Sequence, residues 1–321
     1  MIQPTDISDD SATTEQLPGA LNIAILIVAI AIASFALWAA SNSNGWITIL
    51  LAATVFSFVN NTIFSLQHEA VHGLFHSKHK ANEFFGSLCA AFFPTALSFQ
   101  RICHLGHHRR NRSDAELFDY YYPNDNKVLK YTQWYGILTG IYWLMPPLGC
   151  LLYLVAPWAL NINYFRGKNS KVAQQTGLDA MLSGFDEVRG GRIRLEIVAT
   201  ILLQVLLFTV LDLTFTGWLI CYAAFAVNWS ALQYADHAWT ERDVRNGAWN
   251  LRVNPLVQYL FLNYHHHKAH HQHTNVSWLH LPKYVDYLEH RPSFLSVYRN
   301  MWLGPRPYPE VPPGILGKDK C

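Results

Sequence analysis

The chain has 321 residues, of which 51% are hydrophobic and 14% charged, with a net charge of +2. So little charge is unusual for a soluble domain of this size, and with no basic patch interleaved with aromatics the sequence argues against a nucleic-acid partner. The five cysteines (Cys89, Cys103, Cys150, Cys221 and Cys321) are scattered without a C-x-x-C pair. That excludes a disulfide framework or thiolate metal site and fits the reducing side of a membrane.

Residues 1–17 are rich in Ser, Thr, Asp and Glu and are expected to form a disordered tail. They hold no Lys or Arg, so the apolar run that follows lacks the basic flank of a secretory signal and reads as an anchor. Leu21–Ala40 carries no charge over 20 residues, the length that crosses a hydrocarbon core of roughly 30 Å. Ser41–Gly45 is a polar turn. Trp46–Leu66, with Trp46 as an interfacial anchor, returns and runs into Gln67-His68-Glu69-Ala70-Val71-His72. Phe84–Phe99, interrupted by Pro94, is too short for a crossing and reads as an embedded or interfacial connector. Trp134–Leu160 is a 27-residue apolar block with Pro146-Pro147 at its middle. Leu195–Leu213 and Phe215–Ala235 form a second hairpin, turning around Asp212–Gly217 and ending at Asp236-His237. One domain is expected over 18–302, followed by a Pro-rich tail, 303–321.

Charge placement sets the orientation. The first basic residue is Lys78, none lies between Leu195 and Glu241, and all 24 Lys and Arg fall in segments adjoining histidine clusters. By the positive-inside rule those segments, and the termini with them, are cytoplasmic. Trp134–Leu160 has Lys127 and Lys130 before it and Arg166 and Lys168 after it. Two full crossings need roughly 60 Å of helix and this block supplies about 40 Å, so a re-entrant or in-plane helix pair broken at the two prolines is expected. The fold class is all-α integral membrane: two transmembrane helical hairpins, a re-entrant or interfacial pair, and a cytosolic histidine-rich cap.

The 16 histidines concentrate in three clusters. In His68-Glu69-Ala70-Val71-His72, positions i and i+4 of a helix lie on one face and both imidazoles can converge on a metal. The others are His104-Leu105-Gly106-His107-His108 and His267-Lys268-Ala269-His270-His271, the latter inside a longer run from Asn263. In H-x-x-H-H the first two histidines occupy neighbouring positions of one face, and the third points about 100° away, toward a different centre. Eight such imidazoles exceed what one ion takes, so two ions are expected, with His237 as a ninth ligand. Imidazole suits Fe, Zn, Cu and Ni alike, but two such metals at a lipid surface suit O2 activation against an unreactive C–H bond.

These three boxes between two hairpins resemble the histidine boxes of the membrane fatty acid desaturase and hydroxylase superfamily over roughly residues 45–285, and Arg101–Leu117 and Asn263–Pro282 are similar beyond the histidines. The resemblance implies two irons held by His68, His72, His104, His107, His108, His237, His267, His270 and His271. It also implies an amide near the last span that holds a water on one iron: Gln233, or Asn228 as a weaker candidate. Two extra residues separate Asn263-Tyr264-His265 from the final pair, so the first ligand of the third box stays open between His267 and His266. The implied reaction is O2-dependent desaturation of an acyl chain carried on acyl carrier protein, coenzyme A or phospholipid. Hydroxylation or carotenoid-type ketolation is the alternative on the same scaffold. No fused cytochrome-like extension or ferredoxin cysteine set is visible, so electrons are expected from a separate ferredoxin or cytochrome with its reductase.

Two rival readings remain at this point. His68-Glu69-Ala70-Val71-His72 is also H-E-x-x-H, the zinc-hydrolase helix with Glu69 as base, although two further boxes are superfluous for one zinc. A non-enzymatic metal-binding membrane protein is the other. His76, His79, His265, His273, His280 and His290 read as surface or capping residues. Asp114, Glu116, Asp236 and Asp243 read equally as partners of ligand imidazoles or as ordinary acids, and Cys103 as a packed residue.

Overall fold

A computed structural model describes residues 15–161, 184–185 and 190–308. Helices dominate: α1 (Gly19–Asn42), α2 (Trp46–His72), α3 (His79–Phe92), α4 (Leu97–Arg110), α5 (Lys127–Leu138), α6 (Met145–Val155), α7 (Gly190–Val210), α8 (Phe215–Ala235), α9 (Pro255–Leu260), α10 (His267–Gln272) and α11 (Phe294–Met301). Two short strands, β1 (Tyr120–Tyr121) and β2 (Arg306–Pro307), pair in parallel. Most of the expected N-terminal tail (1–14), most of the C-terminal one (309–321), and Arg166 and Lys168 lie outside the described residues.

Four helices, α1, α2, α7 and α8, are long and apolar enough to cross a membrane. Ile27, Val28 and Phe35 on α1 and Leu202 and Val205 on α7 face outward, an apolar surface that only lipid covers at low cost. The inner faces of α1, α2 and α8 share one core with α3, built around Leu37, Phe56, Phe93, Tyr222 and Phe225. The α7–α8 connection turns at Asp212, whose φ of 48° is left-handed, and Thr214 caps α8 by accepting from the Gly217 amide at 3.1 Å.

The connector 84–99 forms a helical V. α3 stops at Phe92, before Pro94, and α4 starts at Leu97, because a proline ring cannot continue the helix that precedes it. The Phe92 carbonyl at the tip accepts from Asn60 on α2 (3.3 Å) and from the Tyr222 hydroxyl on α8 (3.0 Å).

The Trp134–Leu160 block bends, but the expected break at the prolines is a misplacement. The bend of 87° lies between Leu138 and Ile141, at Gly140, whose φ is +85°. Pro146 and Pro147 instead occupy the first turn of α6, where the missing N–H would have no helical partner anyway. Only glycine fits the corner, since a Cβ on Gly140 would lie 2.7 Å from the Val227 nitrogen. Val227 is about 12 Å down α8 from Ala235. Beyond the corner, Cys150 and Tyr153 pack against Ile193 and Ile197 in the first turns of α7.

A Gly140→Ala substitution is expected to cost about 1–2 kcal/mol from the left-handed backbone alone, with the collision against α8 added. Thermal unfolding of the detergent-solubilised protein reads this out. Gly136→Ala, where a Cβ meets nothing, serves as the control and should keep or raise the melting temperature.

Candidate metal centre

The helix ends create the site. α2 terminates one residue after its last histidine because Gly73 takes a left-handed φ of 78° and the Leu74 amide donates back to the Glu69 carbonyl at 2.8 Å, the glycine-closed helix end. The carbonyls of Ala70 and Val71 also accept from the Arg101 guanidinium at 3.1 and 3.2 Å, a cation placed where the helix dipole is negative. Arg101 belongs to α4, so one side chain fixes the first histidine helix to the second. The start of α4 is held as well by Glu196 of α7, which accepts from the Ser98 amide at 2.7 Å and hydroxyl at 2.8 Å.

Nine imidazoles gather in two groups. His68, His72, His104, His108 and His270 form one, and His107, His237, His267 and His271 the other, each with its ring nitrogens within 4.8 Å of one another. In the first, His104 Nε2 lies 2.9 Å from His72 Nε2 and 3.0 Å from His108 Nε2, which lies 3.0 Å from His270 Nε2. In the second, Nε2 of His267 and His271 are 3.3 Å apart. The groups adjoin: the His108 and His271 rings are 4.3 Å apart.

This arrangement corrects the expected pairing within each H-x-x-H-H box. The first and third histidines, His104 with His108 and His267 with His271, share a group, and the middle ones, His107 and His270, cross to the other. On a helix of 3.6 residues per turn, i+4 is displaced about 40° from i and i+3 about 60° the opposite way. The four-residue step therefore keeps two rings together while the three-residue step serves the neighbouring centre. His267 lies in the second group and His266 in neither; the His266 ring lies 3.9 Å from that of His265, tilted by 44°.

The donor set fits metal ions. Two nitrogens about 2.1 Å from one ion and at right angles to each other stand about 3.0 Å apart, the spacing found here. As hydrogen bonds these contacts leave donors unmatched, and His68 Nε2 and both Asp236 carboxylate oxygens are buried with no hydrogen-bond partner, a costly state unless a cation is present. Burial above all, and then neighbouring imidazoles, holds His104, His108, His237, His267, His270 and His271 well below the ordinary imidazole range. At neutral pH they are unprotonated, the form that binds metal.

The opposite ring nitrogens are held by the protein. His107 Nδ1 lies 2.5 Å from Glu116 Oε2, and His237 Nδ1 donates to the Gly247 carbonyl at 2.9 Å. Such contacts fix ring orientation and leave Nε2 facing inward. Glu116 is thus the partner of an imidazole of the second group and Asp236 lies 3.6 Å from His267 Nδ1 without a hydrogen bond, whereas Asp114 pairs with Arg242 and Asp243 caps its own loop at Arg245 and Asn246. Glu69 accepts from the Trp278 amide at 3.1 Å. Gln233 accepts from the Tyr264 hydroxyl at 3.0 Å, and the Tyr264 ring lies 5.1 Å from those of both His68 and His267. Asn228 donates to Ser57, toward α2, apart from both groups.

Sequence reasoning missed the clamp behind His107 and His237. Arg112 and Asp119, both buried, pair at 2.8 Å. Arg112 also reaches the Thr240 carbonyl at 2.9 Å, and the Tyr234 hydroxyl meets Asp119 at 3.0 Å. No spacing rule points to these residues: Arg112 and Asp119 are near each other in sequence, but Thr240 and Tyr234, which complete the clamp, lie over a hundred positions away.

A family model described as Fatty acid desaturase matches residues 44–302. No curated protein matches the chain.

Replacing Glu116 by Gln keeps the shape but loses the charge that holds His107, and metal affinity is expected to fall about 10–100-fold. Titration of apoprotein with Fe(II) under anaerobic conditions, read by dialysis and metal analysis, checks this. Asp243→Asn should leave the affinity unchanged.

Proposed function

Because the chain belongs to the fatty acid desaturase family, we propose that it is an integral-membrane, O2-dependent oxidoreductase that desaturates a fatty acyl chain at a di-iron centre. The observation that carries the reading is the division of nine imidazoles into two adjoining groups of five and four. Five in one group exceed the three protein ligands of a catalytic zinc, which favours two irons over the H-E-x-x-H hydrolase. His68, His72, His104, His108 and His270 would hold one iron, and His107, His237, His267 and His271 the other. When bound, the pair supplies activation of O2 for the removal of hydrogens from neighbouring methylenes.

The protein's own part is placement and exclusion of water. Glu116 and the Gly247 carbonyl keep two imidazoles turned inward, and Arg101 keeps α2 and α4 in register. Gln233, tied to Tyr264, takes the role of the amide that holds a water. The histidine groups and the described ends of the chain share the cytoplasmic face by the positive-inside rule. There a ferredoxin or cytochrome delivers electrons, and α5 with α6 is the re-entrant pair. The acyl group arrives on a carrier protein, coenzyme A or a phospholipid.

Expression in a host with a simple lipid profile should yield new unsaturated acyl chains, and the purified protein should hold two irons per chain. His107→Ala and His271→Ala are each expected to abolish product and lower the iron content while the protein stays in the membrane. New acyl alcohols in place of alkenes would move the reading to hydroxylation. One zinc per chain with activity retained without O2 would replace it by hydrolysis.

A further inference from the structure

We propose that α9 and the Leu262–Asn263 turn form a lateral gate through which a lipid acyl chain passes from the bilayer to the histidine groups, an inference that rests on the acyl-substrate reading above. The cavity touching both groups is lined by Ser65, His68, Glu69, Leu262, Tyr264 and His267, among others, and measures about 10 Å³. That is room for about one water. A run of methylenes reaches these side chains only if a wall moves.

Three of the walls are fixed. α2 is buried along this stretch. The histidine helices are tied by their partners. Trp278 is pinned from two directions, its amide donating to Glu69 at 3.1 Å and its indole N–H to Asn22 of α1 at 2.9 Å. The fourth wall, Leu262–Tyr264, continues directly from α9.

α9 lies at bilayer depth although its six residues are too short to read as a span. The Leu260 carbonyl accepts from Thr62 at 2.6 Å and the Phe261 carbonyl from Ser65 at 3.0 Å. On α2 those residues stand about 15 and 10 Å below His72. On the outer side Leu256 is 66% and Tyr259 75% exposed, continuing the lipid-facing surface of the spans. Lipid therefore touches the outside of the wall whose inside touches the histidines.

The wall is also hinged and latched. Leu262 and Asn263 both take left-handed φ, 48° and 59°. Asparagine adopts that conformation readily and leucine does not, so the turn holds strain that opening would release. Asn263 is the latch: its side chain accepts from Gln258 of α9 at 3.1 Å and donates to the fixed Trp278 carbonyl at 3.0 Å.

The test bridges the gate to α2. Thr62→Cys with Leu260→Cys, in a Cys103→Ser, Cys321→Ser background, is joined by a short bis-thiosulfonate in nanodiscs of phosphatidylcholine. A phosphatidylcholine carrying a mid-chain diazirine is included, and photolabelled residues are read by peptide mass spectrometry. The reduced protein should be labelled at both Tyr259 and Tyr264, and the bridged protein at Tyr259 alone. Without any bridge, Asn263→Ala should raise Tyr264 labelling by freeing the latch. Equal Tyr264 labelling in bridged and reduced protein, no Tyr264 labelling in either, or no rise in Asn263→Ala would each overturn the gate. Labelling requires neither metal nor turnover. Gated labelling in a protein that makes no oxidised acyl product would sink the oxidation reading and leave lipid access standing.

Discussion

A buried imidazole nitrogen set 3 Å from another imidazole nitrogen is a poor resting state. One proton can serve one such contact, yet His72, His104, His108 and His270 line up Nε2 against Nε2 in succession. The chain tolerates this because every element bearing those rings is held elsewhere. A glycine stop and the Arg101 guanidinium fix the end of α2, a carboxylate from α7 fixes the start of α4, and the Asn250 side chain accepts from the Ala269 amide of α10 at 3.0 Å. Convergence is thus enforced from outside the cluster. Inside it the rings supply little mutual attraction.

The enforcing contacts are mostly polar and partly at membrane depth, where an unmet polar group is expensive. Asn22 shows the economy of the design. It is fully buried in α1, yet its amide donates to the Phe75 carbonyl at 2.8 Å while its oxygen accepts from Trp278. One side chain thereby joins the first span, the loop after the first histidine helix, and the segment after the third. The buried Arg112–Asp119 pair does the same for the loop bearing Glu116 and the end of α8. A buried ion pair contributes little net stability; its value here is that it specifies where two segments distant in sequence must meet.

Much of this was legible from residue order alone. The spans follow from uncharged runs of the right length, and the gathering of the three histidine boxes from their spacing, because both signals are local. What was not legible depended on contacts made across the fold. The corner at Gly140 was hidden because two adjacent prolines are the louder break signal, whereas the real constraint is the backbone of α8 pressed against a glycine. The division of each H-x-x-H-H box was misjudged because which ring faces which centre depends on the partner helix as well as on the step along one helix. Glu116 was visible as an acid but not as a partner, since nothing in its neighbourhood distinguishes it from Asp114 and Asp243. The polar, aromatic stretch before the third box gave no hint of bilayer depth, which follows only from its carbonyls meeting Thr62 and Ser65.

The short β1–β2 pairing has a consequence for assembly. The Arg306 amide donates to the Asp119 carbonyl at 2.8 Å and the Tyr308 amide to the Tyr121 carbonyl at 2.9 Å, while the Arg306 guanidinium covers the Trp239 ring at 3.9 Å. The stretch thus braced runs from Glu116, which steers His107, to Asp119. During synthesis the histidines of the two groups emerge over about two hundred residues, but this brace comes from residues that follow the last of them, His271, by roughly 35 positions. A nascent chain can present every imidazole of both groups and still lack the strap behind Glu116, so the site waits on the folding back of a segment that carries none of its histidines.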